Sequence, residues 1–138
     1  MTRWRAAGAG LALIALLVGI DGYPLLDPDE GRNAEVAREM AASNDYILPQ
    51  LNGLPYLDKP VLYFAVSAAI IELLGPSELA ARLPSLFFTL GTLGILGWFA
   101  RKWFGAEGAW VAVIATATSP LTLGFARTAI FDSALTFF

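Results

Sequence analysis

The sequence predicts an all-α, polytopic integral membrane protein, and three observations carry that reading. The chain is 57% hydrophobic and 15% charged with a mean hydropathy of +0.60, too apolar for a small soluble domain of 138 residues. Its apolar residues gather at 6–26, 83–103 and 108–126 in runs long enough to cross hydrocarbon as helices. Charges lie mostly in the stretches between, and their sign differs from one stretch to the next. The absence of cysteine leaves no disulfide framework or thiolate metal site and says nothing about compartment. Without histidine, any acid or base near neutral pH has to be a carboxylate, a lysine or a tyrosine, and metal ligands have to be oxygens.

The first run, 6–26, follows Arg3-Trp4-Arg5, and those arginines hold the N-terminus inside. A cleaved signal peptide is the alternative, but no small-x-small pattern follows Ile20. Next comes the acidic turn Asp27-Pro28-Asp29-Glu30. It reads as a helix start, with Asp27 as N-cap, Pro28 in the first helical position and Glu30 completing a capping box. The helix that follows, Gly31 to Ser43, has a weakly apolar face of Ala34, Ala37, Met40 and Ala41 and a Glu35–Arg38 pair, and so lies along the membrane surface. Residues 44–60 contain Pro49, Pro55 and Pro60 and an Asn52-Gly53 turn signal, which makes them an ordered loop without regular helix.

The apolar stretch Val61 to Leu74 spans only about 24 Å from Pro60 to Gly75 as a helix, against roughly 30 Å of hydrocarbon. If it crossed, Arg101-Lys102 would fall outside and Asp132 inside. Lying flat, it puts Arg101-Lys102 inside with Arg3 and Arg5, as the positive-inside rule prefers, and gathers the acidic turn, Lys59 and Asp132 on the outer face. The organisation is therefore a span at 6–26, an outer loop with surface helices at 27–82, spans at 83–103 and 108–126 joined by a tight Phe104 to Gly108 connection, and a second outer loop at 127–138. The sequence stops in an apolar run without a helix stop signal, as the first part of a longer domain would.

The outer face thus collects Asp29, Glu30, Asp58, Lys59, Arg127 and Asp132 from three stretches. Such a set suits phosphate chemistry, because a carboxylate can take a proton from an incoming nucleophile while a cation steadies a departing phosphate. All of these but Asp58 also have a plainer local reading. Asp27, Asp29 and Glu30 answer a helix dipole, Asp132 caps the next helix, and Lys59 snorkels. Arg82 and Arg127 anchor headgroups, with Arg82 fitting that role best. Tyr56, Trp98, Trp103 and Trp110 are interfacial aromatics.

The string Asp29-Glu30-Gly31-Arg32-Asn33-Ala34-Glu35-Val36-Ala37-Arg38-Glu39-Met40, then Pro49, Leu51-Asn52-Gly53, Tyr56-Leu57-Asp58-Lys59-Pro60, Ala81-Arg82-Leu83-Pro84 and Ala126-Arg127-Thr128 with Asp132, resembles the N-terminal part of the polyprenyl-phosphate-sugar-dependent glycosyltransferases of the GT-C fold. The nearest groups are the bacterial aminoarabinose lipid A transferases and the protein O-mannosyltransferase-like proteins, and the likeness runs along nearly the whole chain. It implies inverting transfer of a hexose or aminoarabinose-type sugar from a polyprenyl-phosphate carrier to a lipid or protein acceptor. The reaction would take place on the periplasmic face of the bacterial inner membrane. By position, Asp29 resembles the catalytic acid that engages the acceptor, Asp132 the acid of the second loop and Lys59 the cation for the donor phosphate. Glu30 joins the catalytic candidates, and Tyr56 and Arg127 the substrate-binding ones. Asp58 stands where related aminoarabinose transferases have a longer, metal-binding glutamate, so a divalent metal is the one cofactor the resemblance brings in. The expected partners are the lipid-linked donor, the acceptor and membrane lipids, with no nucleic acid. The rival reading is a transporter or assembly subunit handling lipid headgroups without bond making. Discontinuous or repeated hydrophobic segments would mark a transporter, and none is visible.

Overall fold

A computed structural model describes residues 2–138, with all of their side chains but those at 2, 3 and 6. Among these residues the chain forms helices α1 (Thr2–Leu17), α2 (Asp29–Ser43), α3 (Val61–Leu74), α4 (Glu78–Ala117), α5 (Pro120–Ala126) and α6 (Asp132–Phe137). A two-stranded antiparallel hairpin, β1 (Gln50–Leu51) and β2 (Leu54–Pro55), lies between α2 and α3. The side chain of Arg3, expected to help hold the N-terminus inside, lies outside the described residues.

Helix α4 is two helices turned back on each other. Only Gly105 leaves helical geometry, at φ 70° and ψ −174°, a conformation essentially closed to residues with a Cβ. A Cβ at Gly108 would lie 2.4 Å from the Cβ of Phe104, so the chain can reverse this tightly only with glycine there too. The limbs 78–104 and 106–117 then pack together, with Val113 against the backbone of Gly97. This is the helical hairpin expected from the Phe104 to Gly108 stretch. Helix α1 lies against both limbs through a core of Ala12, Leu16, Leu86, Leu93 and Ala117, and Arg5 pairs with Glu107 beside the turn. The first limb is about 40 Å long at 1.5 Å per residue, and α4 is apolar enough to cross a membrane. Leu11, Ile14, Phe87, Ile95, Phe99 and Val111 face outward, a surface suited to lipid and not to water.

Two expected spans are shorter as helices than the hydrophobic runs that suggested them. Helix α1 stops at Leu17, and residues 18–26 run as turns and extended chain. The cause is a Gly19 to Gly22 turn together with two arginines that take the carbonyls freed at the helix end. Arg127 donates to Val18, and Arg82 donates to Ile20 at 2.7 Å. The run 108–126 is broken at Thr118. Ser119 then caps a new helix by accepting from the N–H of Thr122, with Pro120 in its first turn.

Helices α2 and α3 form a second layer over the first turns of α4. Helix α3 occupies 61–74 as expected and buries Tyr63, Phe64, Ser67, Ala68 and Ile71. Helix α2 buries Glu30, Asn33, Val36, Ala37 and Met40, so its inner face carries two polar residues in place of Ala34 and Ala41, which are half-buried. The expected capping box is not formed. Pro28 holds the cap position without a side-chain bond, and the Glu30 carboxylate accepts from the N–H of Leu26 at 2.9 Å. Burial beside Arg82 decides where that carboxylate goes. The Asn52-Gly53 signal does make a turn, with both residues at positive φ (54° and 74°), and it closes a short strand pair that was not expected. Glu39 on α2 pins this turn by accepting from the N–H groups of Asn52 at 2.7 Å and Gly53 at 3.1 Å.

Candidate active site

At the start of α2 a pocket of about 260 Å³ is lined by Asp29, Arg32, Asn33, Lys59, Ile130, Phe131 and Asp132. Three separated stretches supply its ionic groups: the first turn of α2, the residue before Pro60 and the first residue of α6. Lys59 is held from two sides. Its ammonium lies 4.7 Å from the centroid of the Phe131 ring and 3.5 Å from an Asp58 oxygen. Asp29 pairs with Arg32 one turn along the helix. Two cations and two carboxylates therefore border one water-accessible space, far from the Gly105 turn. That turn lies about 35 Å further along α4 from Arg82.

Below the pocket is a buried hub that fixes its walls. Arg82 is 0% exposed and Glu30 1% exposed. The guanidinium donates to both Glu30 oxygens at 3.0 Å, to the carbonyls of Ile20, Tyr23 and Pro24, and stacks 3.9 Å over the Tyr23 ring. Burial pushes the Glu30 carboxyl upward. The Arg82 hydrogen bond and the N–H groups of Leu26 and Ala129 outweigh it and hold the group below its ordinary value of 4.5. The loop that carries Asp132 hangs on the same helix. The N–H of Ala129 donates to Glu30 at 2.6 Å, and its carbonyl accepts from Asn33 at 2.9 Å. The Ile130 carbonyl accepts from Ser85 at 3.0 Å, and the Arg127 carbonyl accepts from Tyr23 at 3.0 Å. Asp29 and Asp132 thus keep their spacing through side chains on α2, α4 and the α1 exit.

Of the residues singled out from sequence, Asp29, Lys59 and Asp132 come together, and four others do not join them. Glu30 points inward with its oxygens fully engaged. Arg127 reaches the Val18 carbonyl and not the pocket, because the exposed carbonyls at the α1 terminus attract a guanidinium. Tyr56 packs edge-on against Phe64, with ring centroids 6.0 Å apart, and its hydroxyl is 3.5 Å from Asp58. Asp58 is exposed beside its lysine. Arg82, expected to anchor a headgroup, is instead the most deeply buried charge, because a neighbouring carboxylate and three carbonyls compensate it. Arg32, Asn33, Ser85 and Tyr23 were not recognised. The available signal was polar side chains at helical spacing on an otherwise apolar face, Glu30 and Asn33 beside Val36, Ala37 and Met40.

A divalent cation needs several oxygens around one point. Among the described residues no three acidic ligands converge, and Asp58 has an ammonium as its nearest ionic neighbour. The described acidic residues do not by themselves complete a divalent-cation site around Asp58.

A helix limb long and apolar enough to span hydrocarbon, a surface layer laid over one of its ends and an ionic pocket at the start of α2 fit a polytopic membrane protein with its polar site at one membrane face. The family model described as dolichyl-phosphate-mannose-protein mannosyltransferase matches residues 58–138, and the chain belongs to that family. Its relatives include the undecaprenyl phosphate-alpha-4-amino-4-deoxy-L-arabinose arabinosyl transferase of Edwardsiella ictaluri. That protein is 36% identical over 129 residues, which are 93% of this chain and 23% of the relative. Enzyme 1 of the same name from Sodalis glossinidius is 40% identical over 91 residues, 62% of this chain and 16% of the relative. The crystal structure of ArnT from Cupriavidus metallidurans bound to undecaprenyl phosphate superposes with a TM-score of 0.91 at 35% identity, covering 98% of this chain and 25% of that one. The expected GT-C-like helical membrane fold is the fold observed. The chain spans about a quarter of the length of these relatives.

Proposed function

We propose that this chain forms the pocket in which a sugar passes, with inversion, from a polyprenyl-phosphate carrier to a hydroxyl of a lipid or protein acceptor. The observation that carries the proposal is the meeting of Asp29, Lys59 and Asp132 in one pocket. The similarity to aminoarabinose transferases, one of them crystallised with undecaprenyl phosphate, supports that chemistry and favours an aminoarabinose-type sugar. Asp29 accepts the proton of the acceptor hydroxyl as its oxygen bonds to the anomeric carbon. The bond from that carbon to the phosphate oxygen breaks, and the electron pair leaves with the phosphate beside Lys59. Asp132, across the pocket, orients sugar or acceptor hydroxyls. Glu30 acts as a positioning residue through Arg82 and Ala129. A metal at Asp58 would need ligands beyond those described.

The site lies on the periplasmic face of the inner membrane, with the N-terminus in the cytoplasm. Trp4, Trp98, Trp103 and Trp110 lie on α1 and α4 toward the Gly105 end with Arg101 and Lys102, the pattern of a cytoplasmic interface, while acids dominate the α2 end. In the intact membrane protein, Asp29→Asn should lower transfer from radiolabelled polyprenyl-phosphate sugar by about 10²- to 10⁴-fold with normal insertion. Full activity would remove Asp29 from the mechanism.

A further inference from the structure

The charge of the pocket has to change during the reaction proposed above, and Arg32 is placed to follow it. A sugar linked through a phosphodiester carries one negative charge, whereas the departing phosphate monoester carries about −1.5 to −2 at pH 7. Lys59 already shares its charge with Asp58 and meets the first of these charges. The second cation on the pocket wall is Arg32. In the free protein its terminal nitrogen donates to Asp29, while its Nε lies shielded from solvent with no hydrogen-bond partner. The Asp29–Arg32 pair is partly exposed, and such pairs are weak and exchange readily.

We infer that Arg32 passes from Asp29 to the phosphate during transfer. As Asp29 takes the acceptor proton it becomes neutral and no longer holds the guanidinium. In the same step the carbon–oxygen bond to phosphate breaks and the leaving oxygen gains charge. Arg32 then turns to it, using the Nε–H that had no acceptor. One proton transfer thereby releases the cation at the moment the leaving group needs it. The inference rests on the glycosyltransferase reading and adds a residue that acts on the transition state and product more than on the bound donor.

The test compares monoester with diester in the intact enzyme at pH 8. Arg32→Gln should lower kcat by about 10²-fold while leaving donor KM nearly unchanged. It should weaken binding of polyprenyl phosphate by about tenfold or more and leave binding of its methyl diester as in the parent. Retained diester binding also shows that the pocket is still formed. Arg32→Lys should recover part of both effects, and Lys59→Gln should weaken both ligands. Parental kcat in Arg32→Gln, or equal weakening of the two ligands, would overturn the exchange. If Asp29→Asn is inactive while Arg32→Gln is fully active, only the exchange fails. If Asp29→Asn is fully active, the site reading fails and the exchange with it.

Discussion

Glu30 and Arg82 illustrate how a charged pair can serve a site without touching its ligands. Both are removed from water, and each is compensated from several directions: Glu30 by Arg82 and two backbone N–H groups, Arg82 by Glu30 and three carbonyls. Replacing one partner strands the other, and breaking a buried pair in this way costs about 3–5 kcal/mol. Glu30→Gln should therefore melt earlier in detergent than the parent at neutral pH. The pH dependence has a fixed sign. Because the folded carboxyl is held below 4.5, its contribution is complete above pH 4.5. It fades as the pH falls further and the unfolded chain takes up its proton first, and it is gone below the folded value. The gap in melting temperature between parent and Glu30→Gln should thus be constant from pH 7 to about 5 and close on further acidification. A gap that widens in acid would contradict the role assigned to the pair.

Among the elements, the α4 hairpin sets the length of the molecule, and its reversal depends on backbone room at a single turn. Gly105 holds a conformation that a Cβ resists, and Gly108 faces the Cβ of Phe104 at a distance no side chain tolerates. Gly108→Ala should open this turn and separate the limbs that pack through Gly97 and Val113. The expected reading is a melting temperature lowered by a few degrees and weaker protection of the 94–113 region in hydrogen exchange, with an unchanged ionic pocket at the far end. An unaltered melting profile would mean that the turn relaxes at no cost. The surface layer follows different physics. Helices α2 and α3 share a core of Val36, Met40, Tyr63, Phe64 and Ala68, where burying a side chain such as Phe64 is worth about 1.5–3 kcal/mol. That core sets the approach of Asp29 to Lys59, since one residue opens α2 and the other precedes α3.

For the molecule as a whole, the two ends of α4 have opposite characters, ionic and acidic near Arg82, aromatic and basic near Gly105. These 138 residues contribute no cysteine of their own to accessibility labelling, which is read in a cysteine-free form of the intact protein. With Glu78→Cys and Ala106→Cys in the intact protein, an impermeant thiol reagent applied to spheroplasts should label position 78 directly and position 106 only after permeabilisation. The reverse pattern would place the pocket on the cytoplasmic side and end the periplasmic assignment.

The amino-acid sequence determined the membrane class, the Val61 to Leu74 helix, the hairpin at Phe104 to Gly108 and the grouping of Asp29, Lys59 and Asp132. Hydrophobic run length, glycine placement and charge asymmetry are local or additive quantities that can be read along a chain. The tertiary structure alone decided where the arginines go. Arg82 turned inward and Arg127 turned to the end of α1, because carbonyls left free at Val18, Ile20, Tyr23 and Pro24 are acceptors that exist only once distant segments meet. The same holds for Asn33 and Ser85, whose value lies in the backbone of Ala129 and Ile130, far along the chain. A hydrogen bond between remote residues leaves no periodicity behind it, so only the folded chain could assign these side chains.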